Sequence, residues 1–209
     1  IPALVGYEAI RQHRLLQIRK GARQLGIHED PDYGRKSLIT RQVQRYGADG
    51  LAGEALEAGA SFGAVRLPGF RDLLLTGIGP DRTFMDELRG RVRVVGCLDR
   101  EPITVEFKDF RAFGLRGEAT RKIRRYLRVR QNDGLVLVWG PEADVHTAME
   151  EICIRVREAA QGVPNETRQV LPGGVTDFER ILPGPDRMYP DTDSPPLAIS
   201  DEWVGRGES

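Results

Sequence analysis

The apolar run at residues 134–139 is the feature that most constrains how this chain can fold. It follows the turn-forming residues Asn132, Asp133 and Gly134, and it lacks the polar–apolar alternation of a strand with one solvated face. The run therefore predicts a central strand that is covered on both faces. Residues 142–160 follow with apolar side chains at helical spacing, and they predict a long helix packed on that strand.

Other segments predict the rest of one sheet-and-helix domain. The predicted strands are β-branched or alternating runs bounded by Pro or Gly, at 62–67, 72–76, 91–98 and 103–107. Further helices are expected at 7–25, 83–88 and 118–129, with one or two short ones within 40–60. Thr83 is the expected N-cap of its helix, with Asp86 three residues later. The predicted class is α+β, a mainly antiparallel sheet with helices packed on it.

The two ends of the chain differ from this central part. In the first helix, Leu15, Ile18 and Leu25 belong to the expected buried stripe, and Arg11 is placed on another face. After Gly162, prolines and glycines replace any periodicity and predict an irregular, extended segment. Because the chain starts abruptly in an apolar segment without an initiator Met, we expect it to be part of a longer protein.

The sequence lacks the motifs of several enzyme classes. His13, His28 and His146 are far apart and have no Cys or His partner at ligand spacing, so no metal site is predicted. The glycine-containing turn at 171–174 lacks the Lys-Ser/Thr pair of a phosphate-binding loop. No apolar run approaches the ~20 residues that span a bilayer, so we expect a cytoplasmic protein with no membrane partner. No complete active site is predicted.

Charge is distributed unevenly along the chain, although the formal net charge is zero. Residues 111–130 hold eight cationic side chains against Glu118 alone, a net charge of +7, and residues 177–209 carry a net charge of −5. The apolar stripe predicted for the helix at 118–129 is Ala119, Ile123, Tyr126 and Leu127. Four arginines of the same helix follow the spacing i, i+3, i+4 and i+7 and predict one basic face: Arg121, Arg124, Arg125 and Arg128.

A basic helix of this kind is a candidate site for RNA. Guanidinium groups in a row repel one another, and approaching phosphates relieve that repulsion. The candidate RNA-binding residues are Arg121, Lys122, Arg124, Arg125 and Arg128. The alternative is a solvated face that pairs with acidic residues elsewhere, such as those of the acidic tail.

The tail contains an acidic, proline-rich stretch at residues 187–196. Prolines restrict the backbone there and present Asp191 and Asp193 in a defined geometry. Two carboxylates so placed are enough to bind a hydrated Mg²⁺ ion. An acidic loop without such a role is the more common case, so the residues by themselves leave both alternatives open.

Motifs at opposite ends of the chain carry a resemblance to a known family. Residues 162–168 (GVPNETR) and 183–196 (PGPDRMYPDTDSPP) are similar to the GVPEETR and RMYPETDxPP motifs of the E subunit of archaeal glutamyl-tRNA(Gln) amidotransferases. Residues 1–12 (IPALVGYEAIRQ) resemble its IPxLVxYEALRQ motif. The resemblance carries over seven positions of the family's cradle motifs: Tyr7, Arg11, Gln12, Arg187, Tyr189, Asp191 and Asp193, with Asp191 in place of the family's Glu.

The middle of the chain resembles the GAD domain, an α+β module inserted in the same family and shared with bacterial aspartyl-tRNA synthetases. Residues 67–70 (LPGF) and the run at 134–139 match its opening and closing strands. Its FHTDELPAYGI element survives only at Asp99, Glu101, Pro102 and Gly114-Leu115. The resemblance implies three regions: a cradle edge at 1–28, a GAD-like insertion domain at 29–165 and an irregular return segment to the cradle at 166–209.

The resemblance also implies an activity for the parent enzyme. It is expected to phosphorylate glutamate on tRNA(Gln) with ATP and Mg²⁺, and to replace the phosphate with ammonia from a glutaminase- or asparaginase-like partner, the D-type subunit. Because this chain is expected to hold only edges of the cradle, it is expected to be a non-catalytic, tRNA-facing insertion module without a cofactor or metal of its own. The alternatives are a stand-alone RNA- or protein-docking module and the insertion domain of an aspartyl-tRNA synthetase.

Overall fold

The computed structural model describes residues 2–98 and 107–182, in which helices and strands are interleaved. The α-helices are Pro2–Gln24 (α1), Thr40–Tyr46 (α2), Gly50–Glu57 (α3), Arg71–Leu74 (α4), Phe84–Val95 (α5), Phe107–Ala112 (α6), Gly117–Tyr126 (α7) and Glu142–Ala159 (α8). The β-strands are Arg35–Leu38 (β1), Ser61–Leu67 (β2), Gly77–Gly79 (β3), Arg82–Thr83 (β4), Gly134–Gly140 (β5), Glu166–Val170 (β6) and Thr176–Ile181 (β7). All of the described strand pairs are antiparallel, which confirms the predicted α+β class.

The main sheet has the strand order β1-β2-β5. Strands β2 and β5 pair along their whole length, from Ser61 opposite Gly140 to Leu67 opposite Gly134. As predicted, β5 is covered on both faces. Within the described residues, however, β2 is the middle strand and β5 lies at the edge, so the central position predicted for β5 is wrong there.

The main sheet separates two hydrophobic cores. On one face, Val136 and Val138 pack with apolar residues of α1, α5 and α8. On the other face, Leu135 and Trp139 pack with residues of α2, α3 and α7. Trp139 stacks on Phe62 of the neighbouring strand, with 5.7 Å between the ring centroids. Because successive residues of β5 enter different cores, the strand needs apolar side chains at nearly every position.

Two segments predicted as strands form helices instead: 72–76 mostly in α4 and 91–98 mostly in α5. The start of α5 is as predicted. The Thr83 hydroxyl accepts a hydrogen bond from the Asp86 N–H at 3.4 Å, and the Asp86 carboxylate accepts one from the Thr83 N–H at 2.7 Å. Leu88 and Val92 continue the buried face at helical spacing. Burial of that face therefore overrides the strand propensity of its valines.

The segment after Gly162 is more regular than predicted, because β6 and β7 form an antiparallel hairpin. Phe178 is a buried apolar anchor of this hairpin, while polar side chains such as Arg168 and Thr176 pack beside it. The usual apolar alternation of a strand is therefore missing from the sequence. The predicted irregular tail beyond residue 182 and most of the strand predicted at 103–107 lie outside the described residues.

Helix α1 packs into the same core as α5 and α8. Leu15 and Ile18 are buried there, as predicted, whereas Leu25 lies beyond the helix and is exposed. Arg11 was predicted on another face, but it is fully buried. It stands four residues before Leu15 and seven before Ile18, which places it on the buried face. The domain boundaries at 28 and 165 stay predictions.

Candidate functional sites: a basic surface and a buried ionic junction

The basic surface predicted from the sequence is centred on α7. Arg121 and Arg125 are exposed and Arg124 is half-buried. Within the described part of the chain, neither these three guanidinium groups nor that of Arg128 forms an ion pair at 4.0 Å or less. Their positive charge is therefore available to an external anion.

Lys122 differs from the arginines around it. Its Nζ lies 2.8 Å from Glu118 Oε1, one turn earlier on α7, and 5.5 Å from the centroid of the Tyr46 ring in α2. The hydrogen bond from Lys122, together with its charge, lowers the pKa of the Glu118 carboxyl. Lys122 therefore connects α7 to α2 and is less available to a phosphate than the unpaired arginines.

Arg128 does not lie on the helical face predicted for it. Helix α7 ends at Tyr126, and Arg128 has a φ of 54°, in the left-handed region. Its N–H donates to the Arg125 carbonyl at 3.0 Å, and the Val129 N–H donates to the Arg124 carbonyl at 2.9 Å. This is the hydrogen-bond pattern of a Schellman helix end. It could not be predicted from the sequence, because the usual glycine is replaced by arginine.

Arg66 of β2 fixes this helix end to the main sheet. Its Nη1 donates to the carbonyl oxygens of Leu127 and Arg128, at 3.2 and 3.0 Å. Its Nε lies 3.2 Å from the buried carboxylate of Asp133. A cation is favourable at the C-terminus of a helix, where carbonyl groups lack partners. The basic surface is thus held in a defined position on the sheet.

We expect Arg128→Gly to raise the free energy of unfolding by about 0.5–1 kcal/mol, because glycine adopts the left-handed conformation without a Cβ clash. Urea unfolding measures this change. Arg130→Gly is the matched control, since it removes the same charge at an exposed residue whose φ is not positive. A lower unfolding midpoint for Arg128→Gly than for the wild type would contradict this account of the helix end.

A second cluster lies largely buried between α1, α5, α8 and the β6–β7 hairpin, and we call it the ionic junction. Its members are Glu8, Arg11, Glu87, Arg91, Glu151, Arg155, Glu158, Glu166 and Arg168. Arg11 donates from Nε to Glu87 Oε2 at 2.8 Å and from Nη2 to Glu166 Oε1 at 2.9 Å. It therefore joins α1 to both α5 and β6.

Two further arginines extend the junction to α8. Arg91 donates to Glu151 Oε1 at 2.5 Å and to both carboxylate oxygens of Glu158, at 2.6 and 3.2 Å. Arg155, which is fully buried, donates to the second oxygen of Glu87. Sharing carboxylates in this way offsets part of the cost of removing the guanidinium groups from water. The offset is incomplete at Arg155, whose Nε and Nη1 have no hydrogen-bond partner among the described residues.

The ionic junction brings together residues of the two end motifs. Arg11 comes from the first motif, and Glu166 and Arg168 come from the GVPNETR segment. Arg11 and Glu166, which are hydrogen-bonded, are 155 positions apart in the sequence. Arg168 donates to Glu166 Oε1 at 2.5 Å and to Thr176 Oγ1 at 2.8 Å. Because their sequence separation is so large, no periodicity in the sequence could have predicted this contact.

The other cradle-motif residues lie beside the junction or outside the described residues. Tyr7 is buried against Gly79, where a Cβ atom would stand 2.7 Å from its ring. Gln12 is exposed and lines an open cavity of about 330 Å³ that Arg11 and Arg168 also line. Four motif positions lie outside the described residues, and their role stays a prediction: Arg187, Tyr189, Asp191 and Asp193.

The pKa values of two buried carboxyl groups of the junction are shifted in opposite directions. Burial would raise the pKa of Glu87, but three guanidinium groups, led by that of Arg155, outweigh it and hold this pKa at about 2. At Glu151, burial raises the pKa, and the attraction of Arg91 offsets the rise only in part. The attraction of the arginines thus outweighs burial at Glu87 but not at Glu151.

The junction is suited to holding elements together. Both oxygens of Glu87 accept hydrogen bonds from arginines, so this carboxylate has no free oxygen for a substrate. In residues 2–98 and 107–182, no group of three or more His, Cys, Asp or Glu side chains could hold a metal ion. We did not predict Glu87 and Arg91 as site residues, although their spacing with Phe84 and Leu88 places them on the buried face of α5.

We expect Glu87→Gln to lower the free energy of unfolding by about 3–5 kcal/mol, because the buried guanidinium groups of Arg11 and Arg155 then lack the carboxylate that they share. Urea unfolding at neutral pH measures this loss. Glu118→Gln, which removes an exposed carboxylate from α7, is the control and should leave the unfolding midpoint close to that of the wild type. Equal unfolding midpoints for Glu87→Gln and Glu118→Gln would show that the ionic junction does not stabilise the fold in this way.

The pH dependence of stability tests the same carboxylate. In the folded chain its pKa of about 2 lies below the ordinary value of 4.5, so the unfolded chain binds more protons between these pH values. The stability that Glu87 contributes is present above pH 4.5 and is lost as the pH falls towards 2. The wild type should therefore lose more stability over this window than Glu87→Gln does.

Comparison with known proteins agrees with the motif resemblance. Over 208 residues, the chain is 33% identical to the E subunit of glutamyl-tRNA(Gln) amidotransferase from Pyrococcus furiosus; the alignment covers 99% of this chain and 32% of that protein. The E subunit from Methanopyrus kandleri is 34% identical over 98% of this chain and 31% of its own length. That from Pyrobaculum aerophilum is 33% identical over 100% of this chain and 33% of its own. No protein-family model matches the chain.

The alignments also show what fraction of each sequence is matched. They cover nearly all of this chain, yet the chain spans only about a third of the length of these relatives. The basic helix and the segments that meet at the ionic junction lie inside the aligned part. By these alignments, the chain is homologous over nearly its whole length to one part of the E subunit of archaeal glutamyl-tRNA(Gln) amidotransferases.

Proposed function

We propose that this chain serves in a tRNA-dependent amidotransferase that converts Glu-tRNA(Gln) to Gln-tRNA(Gln). The observation that carries the proposal is the alignment of 99% of the chain with a protein named as the E subunit of such an enzyme. The proposed partners follow from that reaction: tRNA(Gln) as substrate, and a subunit of the glutaminase or asparaginase type as the source of ammonia. The proposed location is the cytoplasm, and among the described helices none is long and apolar enough to cross a membrane.

Within that enzyme, we propose a non-catalytic role for this chain as a GAD-type insertion module. ATP and Mg²⁺ are proposed as cofactors of the whole enzyme. Within the described residues, the buried carboxylates of Glu87 and Glu166 are engaged by arginines, so we do not propose them as ligands of Mg²⁺. Asp191 and Asp193, the other candidate carboxylates, lie outside the described residues.

The basic surface is the part of the chain proposed to meet tRNA. Arg121, Arg125 and Arg128 are exposed, and no ion pair neutralises them within the described residues. Each guanidinium group can donate two parallel hydrogen bonds to a phosphate, and phosphate binding releases counterions from the RNA. The neighbouring contacts of Arg66 hold this surface rigid, which lowers the entropic cost of binding.

We expect the 209-residue chain to bind a tRNA(Gln) transcript at low salt and to bind it more weakly after the double reversal Arg121→Glu and Arg125→Glu. The loss of two phosphate contacts should reduce the slope of log K against log salt concentration by about 2. Fluorescence anisotropy over a salt series measures both quantities.

The control is an equal change of charge on the exposed side of α1, Arg14→Glu with Lys20→Glu. This variant should keep the salt slope of the wild type. If both double reversals weaken binding equally, the RNA does not select α7. If the wild type does not bind at low salt, a protein-docking role for α7 becomes the better proposal.

We expect the purified chain to hydrolyse neither ATP nor glutamine, with or without Glu-tRNA(Gln), because its role is proposed to be structural. Release of phosphate and of ammonia measures the two reactions. A parallel purification from cells without the gene sets the background. Turnover above that background, in proportion to the concentration of the chain, would refute the non-catalytic role.

The insertion domain of an aspartyl-tRNA synthetase is less well supported as an identity. The relatives described above are all named as the E subunit of the amidotransferase, and the aligned region includes both ends of the chain. A module confined to the insertion would be expected to align only through its middle.

A further inference from the structure

The groove between α2 and α7 combines aromatic and cationic side chains. It is open, has a volume of about 400 Å³, and is lined by Arg45 and Tyr46 from α2 and by Lys122, Arg125 and Tyr126 from α7. No carboxylate lines it among the residues that the structure describes. The cations can neutralise phosphates, and the aromatic rings offer flat apolar faces within the same groove.

Tyr126 is the unexpected member of this groove. Its spacing from Ile123 predicted that it would be buried in the apolar stripe of the helix, yet 52% of its surface is exposed, whereas Ile123 is buried. Helix α7 ends at this residue, so its ring stands at the edge of the core. An exposed aromatic ring between arginines gains little from the fold itself, but it is well suited to stack on a planar ligand.

Tyr46 and Lys122 have a different part in the groove. Tyr46 is partly buried against the core that contains Trp139. The Nζ atom of Lys122 lies over the Tyr46 ring, 5.5 Å from the ring centroid. These two side chains therefore contact each other, while Arg45 and Arg125 line the same groove and are exposed. A planar group entering the groove therefore meets Tyr126 as its most accessible ring.

We propose that this groove binds an unpaired nucleotide of RNA, whose base stacks on Tyr126 while the adjacent phosphates contact Arg45 and Arg125. The proposal rests on the proposed RNA binding of α7 and specifies what the groove recognises. A duplex could place its phosphates against the arginines, but it could not stack a base on Tyr126, because its bases are already stacked on one another. An unpaired base leaves its faces open, so the tyrosine ring favours single-stranded RNA over a duplex.

The experiment compares three substitutions of Tyr126 in the whole chain. Tyr126→Phe keeps the aromatic ring, Tyr126→Leu keeps apolar bulk without a ring, and Tyr126→Ala removes both. The probes are a short single-stranded RNA, the duplex formed from it and its complement, and the same single strand with a fluorescent base analogue. Because Tyr126 is largely exposed, thermal unfolding should give similar midpoints for all variants and serves as the folding control.

Stacking predicts a specific pattern of affinities. Tyr126→Phe should bind the single strand like the wild type, and Tyr126→Ala and Tyr126→Leu should bind it about five-fold or more weakly. All three should bind the duplex like the wild type. The wild type and Tyr126→Phe should quench the fluorescent base, and the other two variants should not.

The alternative outcomes separate this inference from the function on which it rests. If Tyr126→Ala binds the single strand like the wild type, while the Arg121 and Arg125 reversal weakens binding, stacking is refuted and RNA binding stands. If Tyr126→Ala weakens single strand and duplex equally, the ring does not read an unpaired base, and the inference is also overturned. If the wild type binds neither probe nor tRNA at low salt, both proposals are lost.

Discussion

The removal of arginine side chains from water is the constraint on which this structure depends. Arg11, Arg91 and Arg155 are almost completely buried, and an unpaired guanidinium group in that position would cost several kcal/mol. Each of them is instead held by at least one glutamate, and Glu87 serves two of them at once. The positions of α1, α5 and α8 relative to one another are therefore set by charge as well as by apolar packing.

Apolar packing and ion pairs have different parts in this structure. Around β5, side chains such as Trp139 and Phe62 exclude water from a conventional core. The β6–β7 hairpin is anchored by Phe178 and by the ion pairs of Glu166 and Arg168. Apolar contacts tolerate small displacements, whereas hydrogen-bonded ion pairs require defined distances and angles. The junction therefore specifies how the two end segments of the described chain meet.

Local features of this fold could be predicted from the sequence, and long-range ones could not. The covered strand β5, the helix α8 and the Thr83 cap are encoded by residues that neighbour one another along the chain. The hairpin is not predictable in this way, because its strands are stabilised by distant charges rather than by apolar alternation. The valines of the segment at 91–98 favour a strand, and only its packing against α8 shows that a helix is preferred there.

The candidate sites show the same limit. The positive charge of the basic surface is evident from the sequence, but the positions of its side chains are not. The helix predicted to reach residue 129 ends at Tyr126, and Arg128 adopts a left-handed conformation beyond it. Tyr126, the last residue of this helix, is exposed although its spacing from Ile123 predicts burial. The ionic junction could not be predicted as a unit, although the segments that supply Arg11 and Glu166 are recognisable as motifs. The motifs identify the segments that supply these residues, but they do not show that the side chains form ion pairs with one another.

Heating affects the ionic junction and the apolar cores differently. The hydration of charged groups becomes less favourable as the temperature rises, so the penalty for burying Arg11, Arg155 and Glu87 shrinks, while the gain from apolar burial levels off. The share of cohesion that comes from the junction therefore grows towards the melting temperature. We therefore expect the contact between the first helix and the hairpin, which includes these ion pairs, to be among the less heat-sensitive parts of this chain.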